Sequence, residues 1–165
     1  MPILRYARYP EWAALLANQI AEDTLTKTRV YNAAADTYRL LRPEDMGLDE
    51  GTYCFSIAPG ANSVISFRVP AGQGISFYGF WVKCDLGCGS YIQLKVNNVK
   101  RQEVPARFVY NLQEDFILLF DQVVFVSEND LVEIVVYNAQ TSTVSCDFFP
   151  LAIIAGKAKQ LLVTT

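Results

Sequence analysis

The stretch from Phe116 to Asn138, FILLFDQVVFVSENDLVEIVVYN, limits what this chain can fold into more than any other. Two apolar runs flank a short polar break, Ser127-Glu128-Asn129-Asp130. Valine, isoleucine, phenylalanine and tyrosine dominate both runs and suit a pleated, buried surface. A polar break between two such runs predicts a hairpin. In Leu131–Tyr137, parity puts Val132, Ile134 and Val136 on one face. Leu131, Glu133, Val135 and Tyr137 fall on the other. The first face is wholly apolar and the second largely so, whereas a solvated antiparallel sheet alternates more cleanly. A cover over the second face is therefore expected: the N-terminal segment, another strand layer or another subunit.

The β pattern begins at Thr52. Strands are expected near 53–57, 62–69, 74–84, 90–96, 99–104, 114–120, 122–127, 131–138 and 143–155. Turn chemistry separates them at Pro59-Gly60, Pro70-Ala71-Gly72, Gly87 to Gly89, Asn97-Asn98, Pro105, Ser127–Asp130 and Ala139–Ser142. Asn97-Asn98, between Val96 and Val99, suits a two-residue turn because asparagine tolerates positive φ. This number of short strands points to a jelly-roll-like antiparallel β-sandwich over residues 52–165. A Cys…Trp…Cys signature of the immunoglobulin sandwich is missing.

Residues 1–45 are expected to form an N-terminal arm. Pro10 suits a first helical turn, and Trp12, Leu15, Leu16 and Ile20 recur at helical spacing, predicting a helix over about 10–22. Residues 23–50 follow as an extended connector with a short helical or strand segment. Pro43 and Gly47 to Gly51, with four acids from Glu44 to Glu50, mark a surface loop between arm and body. The helix docks either on a neighbouring subunit or on its own sheet.

Composition excludes several chemistries. The chain has no histidine, which removes Ser-His-Asp and Cys-His catalysis, histidine-based metal sites and the usual acid–base residue at neutral pH. Its 14 basic and 17 acidic residues give a net charge of −3 with no long run of either sign, unlike a protein whose partner is nucleic acid or an anionic membrane. The longest apolar run, Phe148–Ala155, is short for a membrane span and contains Pro150. The start of the chain, MPILRYARYPEW, lacks an apolar h-region, so no signal peptide is expected. No enzyme activity, cofactor or metal is expected.

The cysteines Cys54, Cys84, Cys88 and Cys146 admit three readings: a four-cysteine zinc site, a disulfide, or small buried hydrophobes with free thiols in a reducing compartment. The acids Glu114, Asp115, Asp121, Glu128, Asp130 and Glu133 gather around the central hairpin and read as turn charges. Glu133 is the exception, inside an apolar strand, and reads as either rim-exposed or paired with Arg101 or Arg107. Gly72-Gln73-Gly74 and Gly87-Cys88-Gly89 fit no phosphate loop and read as turns. Phe77, Tyr78, Phe80 and Trp81 crowd one strand; parity separates Phe77 and Trp81 from Tyr78 and Phe80. They read either as core plus subunit interface or as a sugar-stacking platform. The tail Leu161–Thr165 reads as a final strand or a short arm gripping a partner. The expected partner interface comprises Trp12, Leu16, Ile20, Phe77, Trp81, Val135 and Tyr137.

The arm around Pro10–Ala21 and the paired strands with their polar turn at Val123–Asn138 together resemble viral structural proteins, particularly the small capsid cement or decoration proteins of tailed phages. The resemblance lies in architecture and carries over no site residue. It implies a homotrimer seated on a capsid lattice, a major capsid protein as partner, and location in the virion. Two other classes are set beside it: a carbohydrate- or receptor-binding β-sandwich module, resting on the aromatic strand 77–81, and an enzyme using carboxylates or a Ser–Lys pair.

Overall fold

The computed structural model describes residues 36–83, 86–105, 116–157 and Leu161. Within them the chain forms β1 (Asp36–Leu40), a 3-10 turn (Pro43–Met46), β2 (Cys54–Ile57), β3 (Gly60–Arg68), β4 (Gly74–Lys83), β5 (Tyr91–Val96), β6 (Val99–Pro105), β7 (Phe116–Val126), β8 (Leu131–Asn138) and β9 (Val144–Lys157). One sheet has five strands in the order β1-β9-β4-β7, with β2 also paired to β9. The other has four, in the order β3-β8-β5-β6.

The pairings β5–β6, β4–β7, β3–β8 and β2–β9 are all antiparallel. The first half of the body thus runs back along the second half as one long ribbon. Its tip is the turn at Asn97 and Asn98, with φ of 51° and 65°, the left-handed pair that a two-residue hairpin requires and asparagine tolerates. Successive ribbon segments alternate between the two sheets, and β4–β9 and β5–β8 pairing closes each sheet across the roll. This is the jelly-roll sandwich that the strand spacing predicts.

The space between the sheets is filled by side chains. Ile75, Phe77, Phe80 and Val82 of β4, Phe148, Ala152 and Ile154 of β9, and Val124 and Val126 of β7 meet Ile92 and Leu94 of β5, Ile65 of β3, and Val132, Ile134 and Val136 of β8. Phe80 packs on Phe148 at 5.5 Å and edge-on to Phe120 at 5.1 Å. Each such side chain contributes roughly 1.5–3 kcal/mol on burial, so this interior dominates over any single polar contact.

Three sequence expectations need correction. The break drawn at residue 121, and the parity carried unbroken through Tyr78, miss a bulge. Phe77 pairs with Val124 and Gly79 with Leu119, leaving Tyr78 opposite Phe120–Val123. β7 therefore runs unbroken, with Asp121 and Gln122 exposed on the bulge. The same irregularity shifts the alternation of β4 by one residue, as bulges do. Phe77 and Phe80 both enter the main core, and Tyr78 faces outward, where it joins Leu151 and Ile153. Gly79 allows the close approach: a Cβ there would overlap the Leu118 carbonyl oxygen.

The second correction concerns the boundary at Pro43–Gly51. Asp36–Leu40 pairs with Ile153–Lys157 of β9, and Leu41 and Met46 lie in the core. The described part of residues 1–45 is therefore integral to the sandwich. Arg39 fixes it through a bidentate ion pair with Asp45 (2.6 and 2.7 Å) and a bond from its Nε to the Leu161 carbonyl (3.0 Å). Asp45 Oδ2 also accepts the Arg42 N–H at 2.8 Å. Third, Leu161 is itself buried in the core, so this part of the tail serves its own domain. The predicted helix over 10–22 lies outside the described residues.

Candidate interaction face

The outer face of the four-stranded sheet is built by strict alternation. Ile92, Leu94 and Val96 of β5 point inward, so Tyr91, Gln93 and Lys95 point outward and are half-buried. On β8, Glu133, Val135 and Tyr137 point outward opposite inward Val132, Ile134 and Val136; Glu133 and Tyr137 are half-buried, and Val135 is buried among its neighbours. Register aligns these into rows across the sheet. Tyr91 stands opposite Tyr137, Gln93 opposite Val135, and Lys95 opposite Glu133. β3 extends the rows with Ala61, Ser63 and Ser66; β6 extends them with Pro105, Glu103 and Lys100.

Tyr91 and Tyr137 stack with ring centroids 4.9 Å apart and planes 8° from parallel. That spacing matches the distance between neighbouring strands, so the rings bridge β5 and β8 and each spends one face on the other. Beside them, the Gln93 amide donates to Glu103 at 2.6 Å and Lys100 Nζ lies 3.2 Å from the same oxygen. The Gln93 hydrogen bond first, and the lysine second, hold the Glu103 carboxyl below the usual carboxylate range. Glu133 has Lys95 as its cross-strand neighbour. Of the two arginines expected beside it, Arg101 is exposed on β6 and Arg107 lies outside the described residues.

The predicted interface residues do not converge. Trp12, Leu16 and Ile20 lie outside the described residues. Phe77 is 0 % exposed within the domain's own core and is not an interface residue; the β4 bulge turns it inward. Trp81 is half-buried and packs against both the main core and the Tyr78–Leu151–Ile153 cluster. Among the described ones, Val135 and Tyr137 share a face. The sugar-stacking platform on strand 77–81 is not available either, because Phe77, Tyr78 and Phe80 are buried. Tyr91, Gln93, Lys95 and Glu103 went unnoticed, although the alternation Tyr-Ile-Gln-Leu-Lys-Val marks a strand with one wet face.

The cysteines divide. Cys146 is buried and disulfide-bonded, whereas Cys54 and Cys88 are free and exposed. This corrects the reading of four buried free thiols, and an oxidised Cys146 cannot ligate zinc as thiolate. Cys84 lies outside the described residues. Asp147, opposite Cys54 in the β2–β9 register, accepts its S–H and pushes the thiol up. Two of the described hairpin acids act in turns: Glu128 accepts the Gly72 N–H at 2.5 Å, and Asp130 accepts the Ser127 N–H at 3.0 Å and the Asn97 amide at 2.8 Å. Glu114 and Asp115 lie outside the described residues. No helix among the described residues is long and apolar enough to cross a membrane.

No protein-family description matches the chain, and no curated protein matches it. Solved structures similar to it include the CBM36-1 domain of a multidomain xylanase from the hindgut metagenome of Trinervitermes trinervoides, with TM-score 0.44 and 15% identity over 74% of this chain and 98% of that one. Dimeric latent PorU from Porphyromonas gingivalis matches with TM-score 0.38 and 17% identity over 74% of this chain. The chain spans 13% of the PorU chain. The fold assignment rests on the strand pairing above.

Proposed function

We propose that the protein is a non-enzymatic structural module of the capsid cement or decoration type, a homo-oligomer that stabilises a larger assembly through the faces of its sandwich. The observation that carries this reading is where the chemistry lies. The interior between the sheets is occupied by apolar side chains, and the tyrosines, amide and charges available to a partner are spread over an open sheet face. Such a mixed aromatic and polar surface suits contact with another protein, since interfaces are enriched in tyrosine and rimmed by polar groups. The disulfide at Cys146 fits a particle that spends time outside the reducing cytoplasm. Light scattering of the protein at micromolar concentration tests the reading. A mass above that of one chain that grows with concentration is expected, and a monomer at every concentration tested would overturn the reading.

A second reading, a glycan-binding module, now rests on Tyr91 and Tyr137 beside Gln93 and Glu103. Glycan-array binding lost on Tyr137→Ala would favour it over assembly.

A further inference from the structure

We propose that the outer face of the four-stranded sheet docks on the same face of a second copy of this chain, about a twofold axis parallel to the strands between β5 and β8. The proposal rests on the assembly reading above and names the partner of that face. Its basis is the register. Lys95 and Glu133 stand directly opposite one another on the two central strands, as do Tyr91 and Tyr137. A twofold axis between those strands lays β5 over the partner's β8 and β8 over the partner's β5. Each copy's Lys95 then meets a Glu133, each Tyr91 meets a Tyr137, and each Gln93 meets a Val135.

The flanking strands fit the same operation. It lays β6 over β3, so Glu103 and Lys100 fall over serines 63 and 66, whose rows they share. No charge in these rows meets one of its own sign. The contact is isologous and closes at two copies, in place of the threefold ring expected from the sequence. Two twisted sheets packed face to face cross at about 30°. Positions far from the crossing point therefore drift apart, and the drift is least on the two central strands, β5 and β8, which carry Lys95 and Glu133 one row from the Gln93–Val135 centre.

The face is small. Four strands about 4.8 Å apart, over rows about 20 Å long, cover roughly 400 Å². A standard interface buries about 800 Å² per partner. The pair is thus a weak, concentration-dependent one in which charge complementarity sets the partner more than area does.

The experiment uses the full chain and measures mass by sedimentation across concentration, with thermal melting as the check on folding. Lys95→Glu sets carboxylate against carboxylate at both contacts between the copies, and Glu133→Lys sets ammonium against ammonium. Each alone is expected to weaken self-association about tenfold. Mixing the two variants restores opposite charges at both contacts and is expected to restore a heterodimer. Mixing cannot repair repulsion within one chain, so recovery reports the contact between chains. Raising salt from about 50 to 500 mM reads the same contact without substitution and is expected to weaken the wild-type pair. Oligomers unmoved by reversal or by salt, or weakened variants that fail to recover on mixing, would overturn the face and leave the assembly reading standing. A wild-type monomer at every concentration would overturn both.

Discussion

The inner faces of the two sheets are alike, but their outer faces are not. On the five-stranded sheet Tyr78, Leu151 and Ile153 form a second buried cluster, edged by Tyr38, Leu40, Trp81 and Val123. Even Ser76 on that sheet is 0 % exposed. On the four-stranded sheet the outward rows are mostly tyrosine, glutamine, lysine, glutamate and serine, half-buried or exposed, with Val135 buried among them. The difference separates two kinds of apolar strand. β9 is apolar on both sides because both sides are interior. β8 is apolar on one side and mixed on the other, because Val135 and Tyr137 are embedded among the polar residues of β3 and β5.

Charge insertion tests this contrast at its strongest. Ile153→Asp is expected to collapse the fold, like Val136→Asp in the main core. An unpaired buried carboxylate costs several kcal/mol, against a total stability of about 5–15 kcal/mol. Val135→Asp, at a side chain that is itself buried but set between Gln93 and Ser63, is expected to cost less, about 2 kcal/mol, or roughly 4–8 °C of melting temperature. Thermal melting of the three variants decides it. A Val135→Asp loss as large as the other two would mean that both outer faces are interior.

Next in size is the clasp at one end of the five-stranded sheet. Arg39 and Asp45 are only 11 and 12 % exposed. Arg39→Ala leaves Asp45 largely buried without its guanidinium, with the Arg42 N–H still donating to it, and the expected loss is about 3 kcal/mol in urea unfolding. A loss near zero would show the pair to be ornament on a surface already held by Leu41 and Met46.

Gly79→Ala follows, at about 2 kcal/mol, the usual scale for forcing extra atoms into a packed site. The clash here is with the Leu118 backbone, which is less free to move than a side chain. A neutral result would mean that the bulge can relax and that the β4–β7 approach is not as tight as it looks.

On the wet face the effects shrink. Tyr137→Ala is expected to lose about 1 kcal/mol with its ring pair, with melting as the measure. Smaller still is the Glu103 effect. Its folded carboxyl sits below the ordinary value, so its contribution is present above the unfolded pKa and fades as pH falls through the folded one. Being exposed, it is screened and small. Gln93→Ala should raise the Glu103 pKa toward the ordinary carboxylate value in an NMR titration. No movement would assign the lowering to Lys100 instead.

Most strands were legible in the sequence because alternation and turn residues are local signals. Asn97-Asn98 marks the ribbon tip in two letters. What escaped was non-local. Nothing near Tyr78 announces that Phe120–Val123 loops out opposite it, so parity carried through the bulge put Phe77 on the wrong face. Asp36–Leu40 has only a weak strand pattern and becomes a strand because β9 offers it an edge. Likewise, periodicity says that Lys95 and Glu133 face outward on their strands. Only register says that they are neighbours.

The ribbon pairing also sets an order of closure in time. At the Asn97-Asn98 tip, β5 and β6 meet across a minimal loop, whereas β2 and β1 reach β9 only after most of the chain lies between them. Loop-closure entropy rises along that sequence, and a fold dominated by such distant contacts forms slowly. Hydrogen exchange should run in the opposite sense. Amides of β1 and β2 should lose protection first, while β9 keeps its bonds to β4. Protection should last longest on the central strands. The molecule zips from tip to base, its base frays first, and what that fraying exposes is one edge of β9, the longest of the described strands.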